Sequence, residues 1–149
     1  MTIEKIIQSN ELPLSRKLII NLLITSNRLQ EVITESLKPF DITLQQFNVL
    51  RILRGQKGKP ANLSTIQDRM VAKMSNTTRL VDKLISKKYV HRIVCPTNRR
   101  KVEISITQEG LDFLQKIDPI ITTAEEKLVS ALTQKECEQL SNLLNTIRP

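Results

Sequence analysis

The hydrophobic period changes once along the chain, within the stretch SNTTRLVDKLISKKYVHRIVCPTNRRKVEISIT at residues 75–107. In its first half, apolar side chains recur at i, i+3, i+4 and i+7, which predicts a helix from Ser75 to about Lys88. The inward stripe of this helix is predicted to be Thr77, Leu80, Val81 and Leu84. The opposite face is polar and carries Ser75, Arg79, Asp82 and Ser86, flanked by Asn76, Thr78 and Lys83.

Beyond this helix the pattern is that of a β-hairpin. Residues 89–95 and 102–106 alternate or run apolar with β-branched side chains, which predicts two strands. Between them, residues 96–101 are predicted to form a turn with three consecutive cations, Arg99, Arg100 and Lys101. Adjacent cations repel one another, so an ordinary surface turn gains nothing from them. The narrow minor groove of duplex DNA, in contrast, attracts inserted Arg side chains.

The flanking sequence predicts helices on both sides. Before the stretch we expect an N-terminal arm to about Pro13, then helices from Leu14 to before Pro39, from Leu44 to about Arg54 after the cap Thr43, and from Asn62 to Met70. After it we expect a helix from Thr107 through Leu132, bent or broken at Pro119, and a last helix from the capping box Thr133–Glu136 to about Ile147. The predicted fold class is mainly α with a small β-hairpin, in the element order of a winged helix-turn-helix.

Composition narrows the partner. The 149 residues contain 23 Lys plus Arg against 15 Asp plus Glu, a net charge of +8, which favours a polyanion. Proteins that bind single strands stack bases on exposed aromatic rings, and only 3% of this chain is aromatic. A polar helix face alone is more often simply solvated. Together with a basic hairpin about 20 residues away, it predicts double-stranded DNA binding, with the helix end in the major groove.

Residues 44–110 resemble the MarR family of bacterial transcription regulators. The matching segments are Arg79-Leu-Val-Asp-Lys-Leu84, Val90-His-Arg92, Asn98-Arg-Arg100 and Val102 through Thr107-Gln-Glu-Gly110. Two positions depart from the family pattern. The wing aspartate, which orients the wing through a charge pair, is Asn98 here, and the glycine after the recognition helix is Lys88. Because that glycine normally supplies a positive φ, we expect the helix to end with strain or in another geometry.

The resemblance implies roles for individual residues. Arg100 matches the wing arginine that enters the minor groove, with Arg99 and Lys101 on phosphates. The major-groove face corresponds to Ser75, Asn76, Thr78 and Arg79, and we add Lys83 on the same helix. Ser64, at the start of the preceding helix, is expected to touch the DNA backbone because helix N-termini favour phosphate.

The resemblance also implies a homodimer and a regulatory ligand. The expected organisation is an arm and dimerisation helix (1–38), a DNA-binding lobe (39–107) and C-terminal dimerisation helices (108–149). Two lobes would then bind a pseudo-palindromic operator about one helical turn apart. The family commonly binds small phenolic or anionic molecules between dimer helices and lobe, so the expected regulator is a repressor that such a ligand releases from DNA.

The terminal helices carry more apolar residues than a small DNA-binding core requires. These residues are Ile117, Ile120, Ile121, Leu128, Leu132, Leu140, Leu143, Leu144 and Ile147. Either a second copy of the chain covers them or they bury one another within one chain.

Other function classes are less well supported. The chain has one His, no Gly-rich phosphate loop and no nucleophile with a plausible base, so we expect neither an enzyme nor a cofactor. His91 and Cys95 supply only two ligands, too few for zinc. A winged-helix protein-interaction module without DNA binding remains the alternative, because a fold does not determine function.

The two cysteines and the N-terminal residues bear on compartment and redox chemistry. Cys95 is interpreted as a structural strand residue or as a thiol whose pKa the neighbouring Arg99 and Arg100 lower, and Cys137 as a packing residue. The apolar stretch 18–24 is far shorter than the roughly 20 residues that span a bilayer, and no cleavage site follows it. We therefore expect a cytoplasmic protein.

Overall fold

The fold consists of helices and one β-hairpin. A computed structural model describes residues 1–9, 11–73 and 75–148. Its elements are α1 (Ile3–Ile7), α2 (Leu14–Leu37), a 3₁₀ turn (Lys38–Phe40), α3 (Leu44–Gly55), α4 (Leu63–Arg69), α5 (Thr77–Ser86), β1 (Val90–Cys95), β2 (Asn98–Ile106), α6 (Gln108–Leu128) and α7 (Gln134–Ile147). The predicted mainly α fold with a small hairpin is confirmed, and α3 to β2 follow one another in winged helix-turn-helix order.

Side-chain caps determine where the helices of the lobe begin. Thr43 and Gln46 form a reciprocal capping box on α3, and Asn62 Oδ1 accepts from the Thr65 N–H at 2.7 Å at the start of α4. Asn76 Oδ1 accepts from the Arg79 N–H at 3.1 Å. The predicted start of α5 at Ser75 is therefore wrong by two residues, because the cap leaves Ser75 and Asn76 outside the helix.

One buried cluster joins the lobe to the terminal helices. Its members come from α2, α3, α4, α5, both strands and α6, and include Leu37, Phe47, Leu50, Ile66, Val81, Leu84, Ile104, Leu114, Ile117 and Ile121. For Ile117 and Ile121 the second alternative holds, since they are buried within the chain at only 0% and 3% exposure. Spaced at three to four residues with Leu114, they form the stripe of α6 that faces the core.

Helix α6 ends at Leu128 rather than at the predicted Leu132. Of the two alternatives predicted at Pro119, a bend or a break, the break does not occur, because the helix continues through this residue. Proline removes one backbone donor from a helix interior. The buried residues Ile117 and Ile121 on either side hold the chain in helical register, so the loss of one donor does not end the helix.

The hairpin is tighter than predicted. Strand β2 begins at Asn98, so the turn contains Pro96 and Thr97 rather than residues 96–101. Cys95 pairs with Asn98, whereas the next pair along the ladder is Val94 with Val102. Three residues of β2 consequently lie between two successive pairs and bulge from the ladder. Those three residues are Arg99, Arg100 and Lys101.

The positions of the aromatic rings and the character of the helices bear on two kinds of partner, single-stranded nucleic acid and membranes. Phe47 is buried, and Tyr89 and Phe113 stack with ring centroids 4.5 Å apart and pack against the core. Within the residues that the structure describes, none of the helices has the length and apolar character that a membrane crossing requires.

Candidate nucleic-acid interface

Helix α5 is held by its buried face and presents the opposite one. Thr77, Val81 and Leu84 are at most 5% exposed, which fixes the helix against the core as the predicted stripe requires. Thr78, Arg79 and Lys83 are exposed on the other side, and Ser75 is half-buried just before the helix. The polar N-terminal end predicted to read bases is therefore accessible. Asn76 contributes differently, since its side-chain oxygen is already engaged in capping.

A concave surface of about 290 Å³ lies beside this end of α5. Four of the predicted contact residues line it, namely Ser75, Asn76, Arg79 and Lys83. The N-terminus of α3 forms the other wall with Thr43, Gln45 and Gln46. The sequence prediction missed Gln45. The Thr43–Gln46 capping box could have indicated it, because such a box marks a helix N-terminus whose free N–H groups favour phosphate.

A second concave surface, of about 390 Å³, joins the start of α4 to the hairpin. Ser64 lies there with Asn62 on one side and Arg100 and Lys101 on the other. The structure thus brings the predicted backbone-contact residue of α4 next to two of the three wing cations. Arg99 is exposed but does not line this surface.

The wing cations differ from other cations of the lobe in their partners. Arg54 forms a bidentate pair with Asp118 at 2.6 and 3.2 Å, and Arg92 of β1 pairs with Asp82 of α5 at 3.1 Å. In the described part of the chain, no carboxylate lies within 4.0 Å of the bulged segment's three cationic groups. Their charges are therefore available to an external anion.

Asn98 shapes the bulge even though it lacks the charge of the family's aspartate. Its Oδ1 accepts a hydrogen bond from the Arg100 N–H at 3.1 Å. The ion pair that ties the hairpin to α5 is made instead by Asp82 and Arg92. Both residues were quoted as family motif positions, but the sequence did not predict that they contact each other. In this chain the wing is thus braced from β1 rather than from its tip.

The joint between α5 and β1 has the geometry that glycine would favour. Lys88 adopts a φ of +64°, in the left-handed region. Its N–H donates to Ile85 O at 2.9 Å, and the Tyr89 N–H donates to Leu84 O at 3.1 Å. These two bonds are those of a Schellman motif, so the helix ends in the usual way with a strained residue. The expected strain at Lys88 is confirmed.

Cys95 lies at the hairpin tip, half-buried and unpaired by a disulfide. Hydrogen bonds with Thr97, first from its side chain at 3.2 Å and then from its backbone, lower the pKa of the Cys95 thiol. The backbone of Asn98 and the charge of Lys101 lower this pKa further. The direction matches the thiol interpretation, but the assignment of the cause to Arg99 and Arg100 is wrong, because local hydrogen bonds dominate.

Metal-ligating side chains are dispersed. Over residues 1–9, 11–73 and 75–148, no group of three or more His, Cys, Asp or Glu side chains could hold a metal ion. His91 is exposed on β1. The chemistry of the site is therefore that of hydrogen-bond donors and cations on a helix and a hairpin.

A capped helix end with a free polar face, followed by a hairpin with free cations, defines a winged helix-turn-helix protein. The model of the MarR family matches residues 42–102. The transcriptional regulator PapX of Escherichia coli is 30% identical over 142 residues, 91% of this chain and 87% of PapX. The regulator MhqR of Bacillus subtilis is 29% identical over 102 residues, 68% of this chain and 69% of MhqR. The chain belongs to the MarR family.

A solved structure has the same fold. A cysteine-to-serine mutant of MarR from E. coli, crystallised with operator DNA, superposes with a TM-score of 0.82 at 24% identity. The superposition covers 95% of this chain and 100% of that one. At this identity the likeness confirms the fold. The curated relatives are transcription regulators, which favours that class over an interaction module.

Proposed function

We propose that this chain is a homodimeric transcription regulator that binds a pseudo-palindromic site in double-stranded DNA and represses transcription until a small ligand releases it. It acts in the cytoplasm and has no catalytic role. The observation that carries the proposal is the bulge in β2, which holds Arg99, Arg100 and Lys101 exposed beside a lobe whose helix end is also accessible. Among the residues that the structure describes, no carboxylate lies within 4.0 Å of these three cationic groups. Membership of the MarR family supports the other parts of the proposal, namely the homodimer, the repression and the release by a ligand.

The proposed contacts divide between the grooves and the backbone. The N-terminal end of α5 enters the major groove, where Thr78 and Arg79 reach base edges. Arg100 enters the minor groove, and Arg99 and Lys101 bind flanking phosphates. The remaining contacts, made to DNA at the edges of these grooves, come from Ser64, Ser75, Asn76 and Lys83.

Surface area supports a dimer. A compact monomer of this mass exposes about 7,700 Å², by the usual scaling of surface with mass. This chain exposes 10,957 Å². Apolar side chains on the terminal helices account for part of the excess, including Leu14 at 82%, Leu23 at 60% and Leu143 at 63% exposed. Such residues at both ends of the chain require a cover, and a second copy supplies the same surface in return.

The functional division follows from these surfaces. Residues 1–38 and 108–149 dimerise and residues 39–107 contact DNA. The three segments have different proposed roles but share one hydrophobic core, since Leu37 and Ile117 are buried together with residues of the lobe. A rigid connection of this kind lets the spacing of two lobes respond to a change at the dimer helices.

The ligand is proposed to bind in a crevice of about 850 Å³ between the C-terminal half of α2 and the lobe. Among its cations, Lys38 pairs with Glu35 at 3.6 Å and Lys87 pairs with Asp41 at 3.1 Å. Lys83 also lines the crevice, and the described residues place no carboxylate within 4.0 Å of it. An anionic ligand would find a free charge there, directly on the DNA-reading helix.

Selection of bound duplexes from a random pool tests the function. We expect an enriched palindrome whose half-sites lie about one helical turn apart. Affinity for that duplex should fall steeply with salt, with a slope of about −0.9 for each phosphate neutralised. Lys127→Ala on α6 serves as the matched control, because it removes an exposed cation outside the proposed interface. Absence of duplex binding at low salt would contradict the proposal.

A further inference from the structure

Between α4 and α5, the described residues supply one buried apolar side chain. Met70 is buried at 1% exposure, but Val71 is 83% exposed and Ala72 and Lys73 are exposed as well. This segment sets where α5 begins, and therefore where the residues proposed to read bases are presented. A polar side chain of α4 also holds its described residues.

Gln67 spans the segment with both ends of its side-chain amide. Its Nε2 donates to the backbone oxygen of Lys73, and its Oε1 accepts from the hydroxyl of Thr77, the first residue of α5. Gln67 lies between two buried residues, since Ile66 in α4 and Met70 just after the helix are 0% and 1% exposed. One side chain thus connects the core-anchored helix α4 to both the turn and the start of the reading helix.

The bond to Thr77 is costly to lose. Thr77 is only 5% exposed, so water does not readily replace a missing partner for its hydroxyl. No side-chain polar atom is both buried and unpartnered in the described structure. Removing the amide of Gln67 would leave the Thr77 hydroxyl unsatisfied, and the start of α5 would move to rehydrate it. Asn76, Thr78 and Arg79 would move with it.

We infer that Gln67 is a positioning residue for base reading: without touching DNA, it sets the placement of the N-terminal end of α5 in the major groove. The inference rests on the proposed function. It predicts a specific loss. Backbone contacts made by the wing do not depend on Gln67, so binding to unrelated DNA should persist while discrimination among sequences falls.

The experiment compares affinities of the dimeric full-length protein for the selected operator and for an unrelated duplex of equal length. Gln67→Leu should lower the operator-to-unrelated ratio about tenfold, the size of one mismatched base pair, with unrelated affinity and salt slope unchanged. Thr77→Val removes the same hydrogen bond from the other side and should cause a similar fall. Because both single variants break the Gln67–Thr77 bond, the double variant should lose no more than Gln67→Leu alone, which also breaks the bond to the Lys73 backbone oxygen. Gln115→Leu, at an exposed position on α6, is the matched control.

A merely structural role would lower the melting temperature and leave the ratio unchanged. That result in the folded variants, or losses that add in the double variant, overturns the inference. Thr77→Val keeps the test decisive if Gln67→Leu does not fold, because valine is nearly isosteric with threonine and the Gln67 Oε1 that loses its donor lies on a half-buried side chain that water can reach. A wild-type protein that binds no duplex would contradict the proposed function itself, whereas normal wild-type discrimination with unaffected variants would overturn only the role of Gln67.

Discussion

The recognition helix and the wing are built in opposite ways. In α5, the buried residues Thr77, Val81 and Leu84 fix the helix before any DNA is present. In the distal hairpin, Arg99, Arg100 and Lys101 have neither ladder partners nor carboxylate partners in the part of the chain described here. One element has its geometry set by packing, and the other carries charge beyond the packed lobe.

This difference matches what each groove asks of a protein. Base edges in the major groove form hydrogen bonds only with donors and acceptors held at defined positions, so the reading helix must be rigid. Minor-groove and phosphate contacts depend on charge, which acts over several ångströms. Long Arg and Lys side chains can therefore reach the minor groove and the phosphates from a segment that is less constrained by packing. We therefore expect the packing of α5 to determine sequence specificity, and the free charge of the wing to determine affinity for DNA.

Arg100→Ala should have the largest effect on operator affinity. A small effect would contradict the proposed contrast between the packed helix and the charged wing. Removing this minor-groove contact should weaken operator binding by about 1–3 kcal/mol per lobe, and the change is present twice in a dimer. Equilibrium binding measures the affinity, and sedimentation verifies that the variant is still a dimer. Lys127→Ala is the charge-matched control. Unchanged operator affinity would remove the wing from the mechanism.

Arg79→Ala should cost less affinity, about 1 kcal/mol per lobe, but should change sequence preference. The physical reason is that Arg79 is exposed on the packed helix that is proposed to enter the major groove. A repeat of the duplex selection with the variant measures the relaxation at individual positions. An equal loss on all duplexes would instead identify Arg79 as a phosphate contact.

Lys88→Gly sharpens the comparison at the joint between the two regions. Glycine adopts the φ of +64° without the steric cost that a side chain carries, so the variant should be more stable by about 1 kcal/mol. Urea unfolding at a fixed protein concentration measures this, because a dimer's stability depends on concentration. A destabilised variant would show that the Lys88 side chain has a favourable contact that outweighs its backbone strain.

Asp82→Asn should have the smallest effect. The Asp82–Arg92 pair ties the wing to α5, but both side chains are about half exposed, which limits its contribution to about 0.2–1 kcal/mol. Unfolding measurements in low and high salt should show that the loss shrinks as salt rises. A loss independent of salt would mean that the pair acts through packing rather than charge.

Much of the fold could be predicted because local signals and tertiary structure agree. The caps Thr43, Asn62, Thr107 and Thr133 begin helices where the sequence indicates them, since the cap and its partner lie within a few residues. The strain at Lys88 was predictable from the family pattern, which has a glycine at this position. The start of α5 was missed because Ser75 and Asn76 are equally plausible as caps, and only the bond that Asn76 makes to Arg79 distinguishes them.

The candidate site was predictable as a set of residue types but not as an arrangement. Family motifs indicated the polar helix end and the basic wing. They did not show that Gln45 shares a surface with Arg79, or that Ser64 lies beside Arg100. These residues are separated by more than thirty positions, and no local rule relates their side chains.

The sequence alone determined the helices, the hairpin and the excess of positive charge, because capping, hydrophobic period and net charge are properties of short segments or of composition. Only the tertiary structure decided that Ile117 and Ile121 belong to the core, that Asp82 meets Arg92, and that the wing cations leave the ladder as a bulge. Each of these depends on which distant segments pack together, and packing is settled by the whole chain at once rather than by any part of it.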